Sequence, residues 1–257
     1  LFALAALRFR ARIAQIVMLV CAGLLADRAM MMRSTDAPES SDIVIYQKNM
    51  LYRDYDAASL AQDIWASGAR VVTLQEVSSA HDDFLSIMAD THPYQLVCKG
   101  PSVGAIAILS TDISVRQTCS DPVGIAVMDI AAQDGQLLTR VVSLHLHWPW
   151  PHRQSDRLDA MLAFLDSATL NELGVPDRVV VGGDFNMVPW GQSLRRVQDT
   201  FGVARVGHVE RTFELFGWPL SIDHVMAGPA ATGQIEVHPQ LGSDHFGVIG
   251  RIAFSAP

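Results

Sequence analysis

Three consecutive β-branched residues, Val179 to Val181, run straight into Gly182-Gly183-Asp184-Phe185-Asn186. Such a run favours a short buried strand, and the Gly-Gly step predicts a sharp turn at its end. The Asp184 carboxylate and the Asn186 amide would then stand at one strand terminus, where both can face one polar site. Alone, an Asp and an Asn at a strand end usually serve as a turn or a helix cap. Here the arrangement recurs. Asn49 follows the apolar run that starts at Ile43, Gln75-Glu76 follow Val71 to Leu74, and His145 closes a strand-like run from Leu137. Two Asp-His steps, Asp223-His224 and Asp244-His245, stand near the carboxyl terminus. Repeated strand endings of this kind suit a fold in which strand ends converge.

The elements between these endings alternate. Asp56 is placed to cap a helix with Leu60 and Ile64 four apart, and Gly68 to end it. Ser79 opens a second helix with Phe84, Ile87 and Met88 on one face. From Tyr94 to Leu146 the pattern is that of antiparallel strands: 104–109, 113–119, 123–130 and 137–146, with an Asp134-Gly135 turn before the last. A helix is expected from about Gln154, with Leu158, Met161, Leu162 and Leu165 at helical spacing, and a short one near Ser193. Helices on both sides of a strand-rich middle predict packed sheets flanked by helices.

Residues 1–33 read as a separate hydrophobic segment. Arg8, Arg10 and Arg12 precede an apolar run from Ile13 to Ala26 that is interrupted only by Gln15. Fourteen residues is short against the roughly 20 that a membrane span needs. A membrane anchor and the apolar part of a signal peptide are the two readings. The small-residue cleavage pattern is poor, so the anchor is the expectation. With the arginines inside, the following domain lies outside the cytoplasm. Residues 34–42 are a polar linker, and the catalytic domain is expected over 43–257.

Charge narrows the partners. Residues 41–257 hold 14 Lys+Arg against 24 Asp+Glu. An acidic body argues against general nucleic-acid binding, which relies on phosphate neutralisation. It suits carboxylates gathered around a cation. Cys21, Cys98 and Cys119 lack zinc-ligand spacing. Cys98 and Cys119 can pair in an oxidising compartment, but two buried apolar thiols are the expectation.

Phosphoester hydrolysis needs neutralised phosphoryl oxygens, an aligned water and a stabilised leaving oxygen. A hard cation meets the first and third needs through carboxylate oxygens and water. Glu76 and Asp244 are the carboxylate candidates. Asp184 and His245 are placed to orient or deprotonate water, and Asn49, Asn186 and His145 to hold phosphoryl oxygens.

The order and wording of the segments resemble the endonuclease/exonuclease/phosphatase superfamily, which has the DNase I-like fold. The resemblance spans about residues 41–257 in five ordered motifs: YQKNM with Asn49, LQEV with Glu76, SLHLH with His145, GGDFN with Asp184 and Asn186, and SIDH followed by GSDHFG. It implies an α/β four-layer sandwich (α/β/β/α) of two mostly antiparallel sheets flanked by helices. It places Asn49, Glu76 and Asp244 at the metal, Mg²⁺ or Mn²⁺, and makes His245 catalytic with Asp223 as its partner. Asp184 and Asn186 would bind or orient water and the phosphoryl group. The implied activity is divalent-metal-dependent phosphodiester hydrolysis by in-line water attack. An endonuclease or exonuclease is the alternative, and a non-catalytic binding domain on the same fold the second. The hydrophobic segment and the GDFNMVPW wording look most like membrane-associated bacterial members, so a lipid-derived phosphoester near a membrane is the expected substrate.

Two choices remain within the motifs. His145 and His147 alternate on one sheet face, and His145 is chosen because it follows the apolar strand. Arg70 stands where many members carry an acidic residue. Trp148 to Pro151 reads as a rigid aromatic loop, or as a substrate-shaping or membrane-touching loop beside His145. His224 is expected to be structural, and His81, His92, His152, His208 and His238 to lie on the surface or in loops.

Overall fold

The computed structural model describes residues 2–31, 40–53, 55–100, 103–131, 137–151, 153–165 and 176–255. The chain divides into two compact units, Leu1–Ser34 and Thr35–Pro257. In the first, one continuous helix, α1 (Phe2–Met31), takes in both the arginine cluster and the apolar run after it. Its uncharged stretch of fourteen residues would rise only ~21 Å against a hydrocarbon core of ~30 Å. No helix among the described residues is long and apolar enough to cross a membrane. Most of the expected 34–42 linker, the 134–135 turn and His152 lie outside the described residues.

The second unit is built on two six-stranded sheets. The first holds β1 (Ile43–Asn49), β2 (Val71–Val77), β3 (Tyr94–Lys99), β4 (Ala105–Ser110), β13 (Ala231–His238) and β14 (Gly247–Phe254), in the order β13-β14-β1-β2-β4-β3. The second holds β5 (Ser114–Ser120), β6 (Ile125–Ala131), β7 (Leu138–His145), β8 (Arg178–Asp184), β9 (Ala204–Arg205) and β12 (Asp223–Gly228), in the order β5-β6-β7-β8-β12-β9. A separate hairpin joins β10 (Phe213–Leu215) to β11 (Trp218–Leu220). Among the described residues, only β1–β2 and β7–β8 pair in parallel. The expected mostly antiparallel, four-layer sandwich is therefore the fold.

Three apolar layers hold it together. Ile45, Val71, Ile108, Met128, Val141, Val180 and Val225 fill the space between the sheets. Leu60 and Ile64 of α2 (Ala57–Ser67), with Phe84 and Met88 of α3 (Asp82–Ala89), pack on the outer face of the first sheet. Leu158 and Met161 of α4 (Gln154–Leu165), with Leu194 and Val197 of α5 (Gln192–Phe201), pack on the second. The α2 boundaries follow the sequence: the Asp56 side chain accepts from the Ser59 N–H, and Gly68 ends the helix in the left-handed region (φ 71°).

Cys98 and Cys119 form a disulfide, contrary to the expectation of two buried thiols. Cys98 is buried on edge strand β3 and Cys119 is exposed on edge strand β5. The bond therefore ties one sheet to the other along one side. Closing a loop of this length contributes about 3 kcal/mol in the chain-entropy view.

Candidate active site

Sheet polarity gathers the polar strand endings. The two parallel pairs deliver Asn49, Gln75, His145 and Asp184 at carboxyl ends, with Asn49 opposite Gln75 and His145 opposite Asp184. Strand β12 runs antiparallel to β8, so its first residue, Asp223, falls opposite Asp184. His245 lies two residues before β14, the antiparallel neighbour of β1. Carboxyl ends and amino ends of antiparallel neighbours meet at one end of the sandwich.

Asp184 is the hub. Its Oδ2 accepts from Asn49 Nδ2 at 3.1 Å and Asn186 Nδ2 at 3.3 Å. It lies 3.4 Å from His145 Nε2 and 3.8 Å from His245 Nε2. Its Oδ1 accepts from the Asn186 N–H at 2.9 Å. Burial alone would raise the pKa of this carboxyl, but His245, His145 and the Asn186 N–H hold it below the usual range, so the group stays ionised. His245 Nδ1 meets Asp223 Oδ2 at 2.9 Å. Burial disfavours its charge, yet the Asp223 and Asp184 carboxylates push its pKa up to about 9. Asp223 is itself raised by burial and by Asp184, against the pull of His245. The pair holds one proton, seated on the imidazole between two carboxylates.

Glu76 reaches the site through a bulge. Between Leu74 and Val77 three steps of β2 pass two of β4, and Glu76 takes a left-handed conformation (φ 57°). Asn49 Nδ2 donates to its Oε1 at 3.2 Å, and His145 Nε2 stands 3.9 Å away. Gly104 makes the bulge possible: a Cβ there would lie 2.4 Å from the Glu76 carbonyl carbon.

The sequence matches the endonuclease/exonuclease/phosphatase family over residues 35–245. The chain belongs to this family. Among similar solved structures is an endonuclease/exonuclease/phosphatase from Bacteroides vulgatus, with a TM-score of 0.67 at 14% identity, covering 83% of this chain and 99% of that one. A beta toxin from Staphylococcus aureus, an F277A, P278A mutant with bound magnesium ions, gives 0.64 at 16%, covering 82% and 99%. A sphingomyelinase C from Streptomyces griseocarneus gives 0.60 at 17%, covering 81% and 98%. No curated protein matches the chain significantly.

Within the family frame, the structure brings Asn49, Glu76, His145, Asp184, Asn186, Asp223 and His245 together. Asp244 is exposed on the loop beside them, near enough to act on the charge of His245 and Lys48. Asn49 Oδ1 accepts from the Leu51 N–H at 3.0 Å, while its amide nitrogen donates to Glu76 and Asp184. The Asn186 amide donates to the Leu146 carbonyl at 2.8 Å and to Asp184 at 3.3 Å. His147 leaves the strand and meets Arg157 at 3.0 Å, whereas His145 Nε2 faces Asp184.

Donor chemistry can be tested against a divalent ion. Asp184, Asp223 and His245 offer donor atoms within 4.8 Å of one another. Those groups are also paired with each other, His245 with Asp223 at 2.9 Å and with Asp184 at 3.8 Å. Glu76 and Asp244 are carboxylates without a histidine hydrogen bond, and such oxygens fit a hard cation that keeps several waters.

Sequence reasoning misread the two glycines. Gly182 and Gly183 lie inside β8, opposite Val225 and His224, and neither makes a turn. A Cβ on Gly182 would stand 2.2 Å from Thr73 Oγ1, so the residue lets the two sheets approach beneath the site. The turn comes later, at Asn186 (φ 46°). Sequence reasoning also missed the polar layer below the hub. Gln47 and Gln75 exchange amide hydrogen bonds (2.6 and 3.1 Å), Thr73 donates to Gln47, and Gln75 donates to Ser143. Gln47 also donates to Asp223 Oδ1 at 3.3 Å, which orients the carboxylate from the opposite sheet. The available signal was i, i+2 spacing: Gln47 precedes Asn49, and Ser143 precedes His145, by one strand period.

Four further histidines, His224, His81, His92 and His238, have structural partners. His224 is buried, with Nε2 at 2.8 Å from the Met187 carbonyl. His81 and His92 are buried rather than on the surface: His81 caps a turn at Ser78, and His92 meets the Ala69 carbonyl. His238 belongs to β13 and pairs with Asp63. Arg195 and Arg196 bond the Trp190 carbonyl and Asp159, and Arg70 pairs with Asp112.

Proposed function

We propose that this protein is a divalent-metal-dependent phosphodiesterase acting on a lipid-derived phosphodiester. The observation that carries the reading is the Asp184 hub, an ionised carboxylate flanked by a protonated His245 and by His145. Glu76 and Asp244 would hold Mg²⁺, which neutralises phosphoryl charge and stabilises the leaving oxygen. Asp184, fixed by Asn49 and Asn186, aligns the attacking water and accepts its proton. His245, oriented by Asp223 at Nδ1, gives its Nε2 proton to the leaving oxygen. His145 Nε2 adds a second donor. The magnesium-bound beta toxin among the structural neighbours supports the ion, and the sphingomyelinase C supports the substrate class. The Cys98–Cys119 disulfide supports an oxidising compartment outside the cytoplasm.

The test is a substrate panel of bis(4-nitrophenyl) phosphate, sphingomyelin, phosphoinositides, DNA and RNA, with Mg²⁺ and with EDTA, beside His245→Ala. Hydrolysis of a lipid phosphodiester that requires both metal and His245 is expected. Preference for DNA or RNA would establish the nuclease reading instead. Binding of Mg²⁺ without turnover of any substrate would overturn the enzyme reading.

A further inference from the structure

The second unit carries an apolar projection beginning at the candidate catalytic histidine. In the β10–β11 hairpin Phe213 pairs with Leu220 and Leu215 with Trp218. Cross-strand partners share a face, and so do residues two apart. Phe213, Leu215, Trp218 and Leu220 therefore form one apolar face, with Glu214 and Pro219 on the other. At the base, the Phe213 ring lies 4.7 Å from the His245 ring. At the tip, Phe216 is 95% exposed and Trp218 75%. Phe216 is held at φ 50° and is followed by Gly217 at φ 81°, a left-handed conformation that a bulky residue rarely adopts. Trp148 meets Phe213 edge-on at 6.0 Å, linking the hairpin to the loop whose Trp150 is 84% exposed.

Charge selects the occupant of this surface. Arg211 and Glu214 neutralise each other at 2.6 Å, and Arg211 also covers the Phe246 ring. An electrically neutral aromatic tip on an acidic body does not match a polyanion. Side chains as exposed as Phe216 and Trp218 suit insertion into a partner better than the lining of a peptide groove. Exposed Trp and Phe beside neutral surface fit the boundary between headgroups and acyl chains of a zwitterionic bilayer.

We infer that the β10–β11 hairpin, with the Trp148–Pro151 loop, docks the enzyme onto a zwitterionic lipid bilayer and sets the mouth of the site at the headgroup level. This rests on the phosphodiesterase reading for its purpose, but docking can be measured without turnover. All five tryptophans, Trp65, Trp148, Trp150, Trp190 and Trp218, lie in the second unit and none in α1. Tryptophan emission of the full chain therefore reports the second unit even if α1 touches lipid. Vesicles of phosphatidylcholine brominated near the headgroup end of the acyl chains, compared with unbrominated ones, are expected to quench emission by roughly a third or more. Phe216→Asp keeps every tryptophan, and at a site this exposed the fold should stand, as checked by circular dichroism. It is expected to reduce quenching at least about threefold. No quenching of the native chain, or equal quenching of the folded Phe216→Asp variant, would overturn the docking. So would emission that responds to single-stranded oligonucleotide, through Phe216, and not to brominated lipid. Absence of turnover with quenching intact would instead count against the phosphodiesterase reading alone.

Discussion

The chain carries the step Asp-His twice in its second unit, and the two histidines end in opposite states. His224 is fully enclosed on the outer side of β12, against the Phe185 ring at 5.6 Å. Burial drives its pKa down to about 4, only partly offset by the Met187 carbonyl, so it is neutral. His245 is also buried, yet its pKa stands at about 9 because two carboxylates face it. Strand alternation explains the difference. On β12 Asp223 points between the sheets, where Gln47 reaches it, and His224 points away. In the second step Asp244 is exposed and His245 turns in. The site takes the aspartate of one step and the histidine of the other. Identical dipeptides say nothing about charge until the facing groups are known.

The largest effect expected from this difference is on rate. His245→Ala should lower kcat on bis(4-nitrophenyl) phosphate by ~10³, the middle of the range for general acid–base groups. Asp223→Asn should cost about tenfold less than that, since the imidazole remains but loses its orienting charge. His224→Gln, which keeps a donor for the Met187 carbonyl, should stay within about twofold of the native rate. Initial rates of purified, folded variants decide it. A His224→Gln loss as deep as that of His245→Ala would break the distinction.

Next comes pH, where the two histidines act with opposite sign. The His224 pKa is about 4 folded and about 6.5 unfolded, so below pH 6.5 the unfolded chain binds a proton that the native chain refuses. Its contribution is complete above pH 6.5 and is lost as pH falls through 4, worth about 3 kcal/mol. His245 is raised, so its contribution is complete below about pH 6.5 and is lost as pH rises through about 9. Denaturant unfolding from pH 4 to 8, below the range where the lowered Lys48 pKa acts in the opposite sense, should show both limbs, and His224→Gln should flatten only the acid one. Activity should fall above about pH 9, where His245 gives up its proton. An alkaline loss unchanged in His245→Gln would assign it elsewhere.

How much of this was legible follows from the same alternation. The strand endings could be read because an apolar run followed by a polar residue marks where a strand leaves the core. Asn49, Glu76, His145 and Asp184 all stand out in that way, His245 stands out through its Asp-His step, and all converge. The sheet-to-sheet contacts could not be read. Gly182 looks like a turn residue in sequence, and only the approach of Thr73 shows that it is a spacer. Gln47, Thr73 and Ser143 look like ordinary strand polarity until the opposite sheet supplies partners. Cys98 and Cys119 lie on edge strands of different sheets, so their meeting depends on packing that no local pattern encodes. His81 and His92 read as surface residues because their partners, a Ser78 N–H and the Ala69 carbonyl, are backbone groups.

The smallest effect sharpens why His245 turns in at all. Lys48 precedes Asn49 on β1 and is 1% exposed. Its Nζ donates to the Gln240 carbonyl at 2.7 Å and to the His245 carbonyl at 2.5 Å. Burial lowers its pKa to about 8, while Asp223, Asp244 and Asp63 favour the charged form. A buried ammonium with two backbone carbonyls as partners fixes the chain on both sides of Asp244. Ser243 assists, accepting from the His245 N–H and donating to the Asn49 carbonyl. His224 is placed instead by the β12 ladder and by the Met187 carbonyl. Lys48→Met should therefore lower kcat roughly tenfold, about 1.4 kcal/mol of lost transition-state stabilisation, by loosening His245. It should leave the acid limb of the stability curve, which belongs to His224, where it was. Rate and unfolding measured on the same preparation separate the two. If kcat is unchanged while stability falls, the lysine supports the fold only, and the loop's own hydrogen bonds are enough to aim His245.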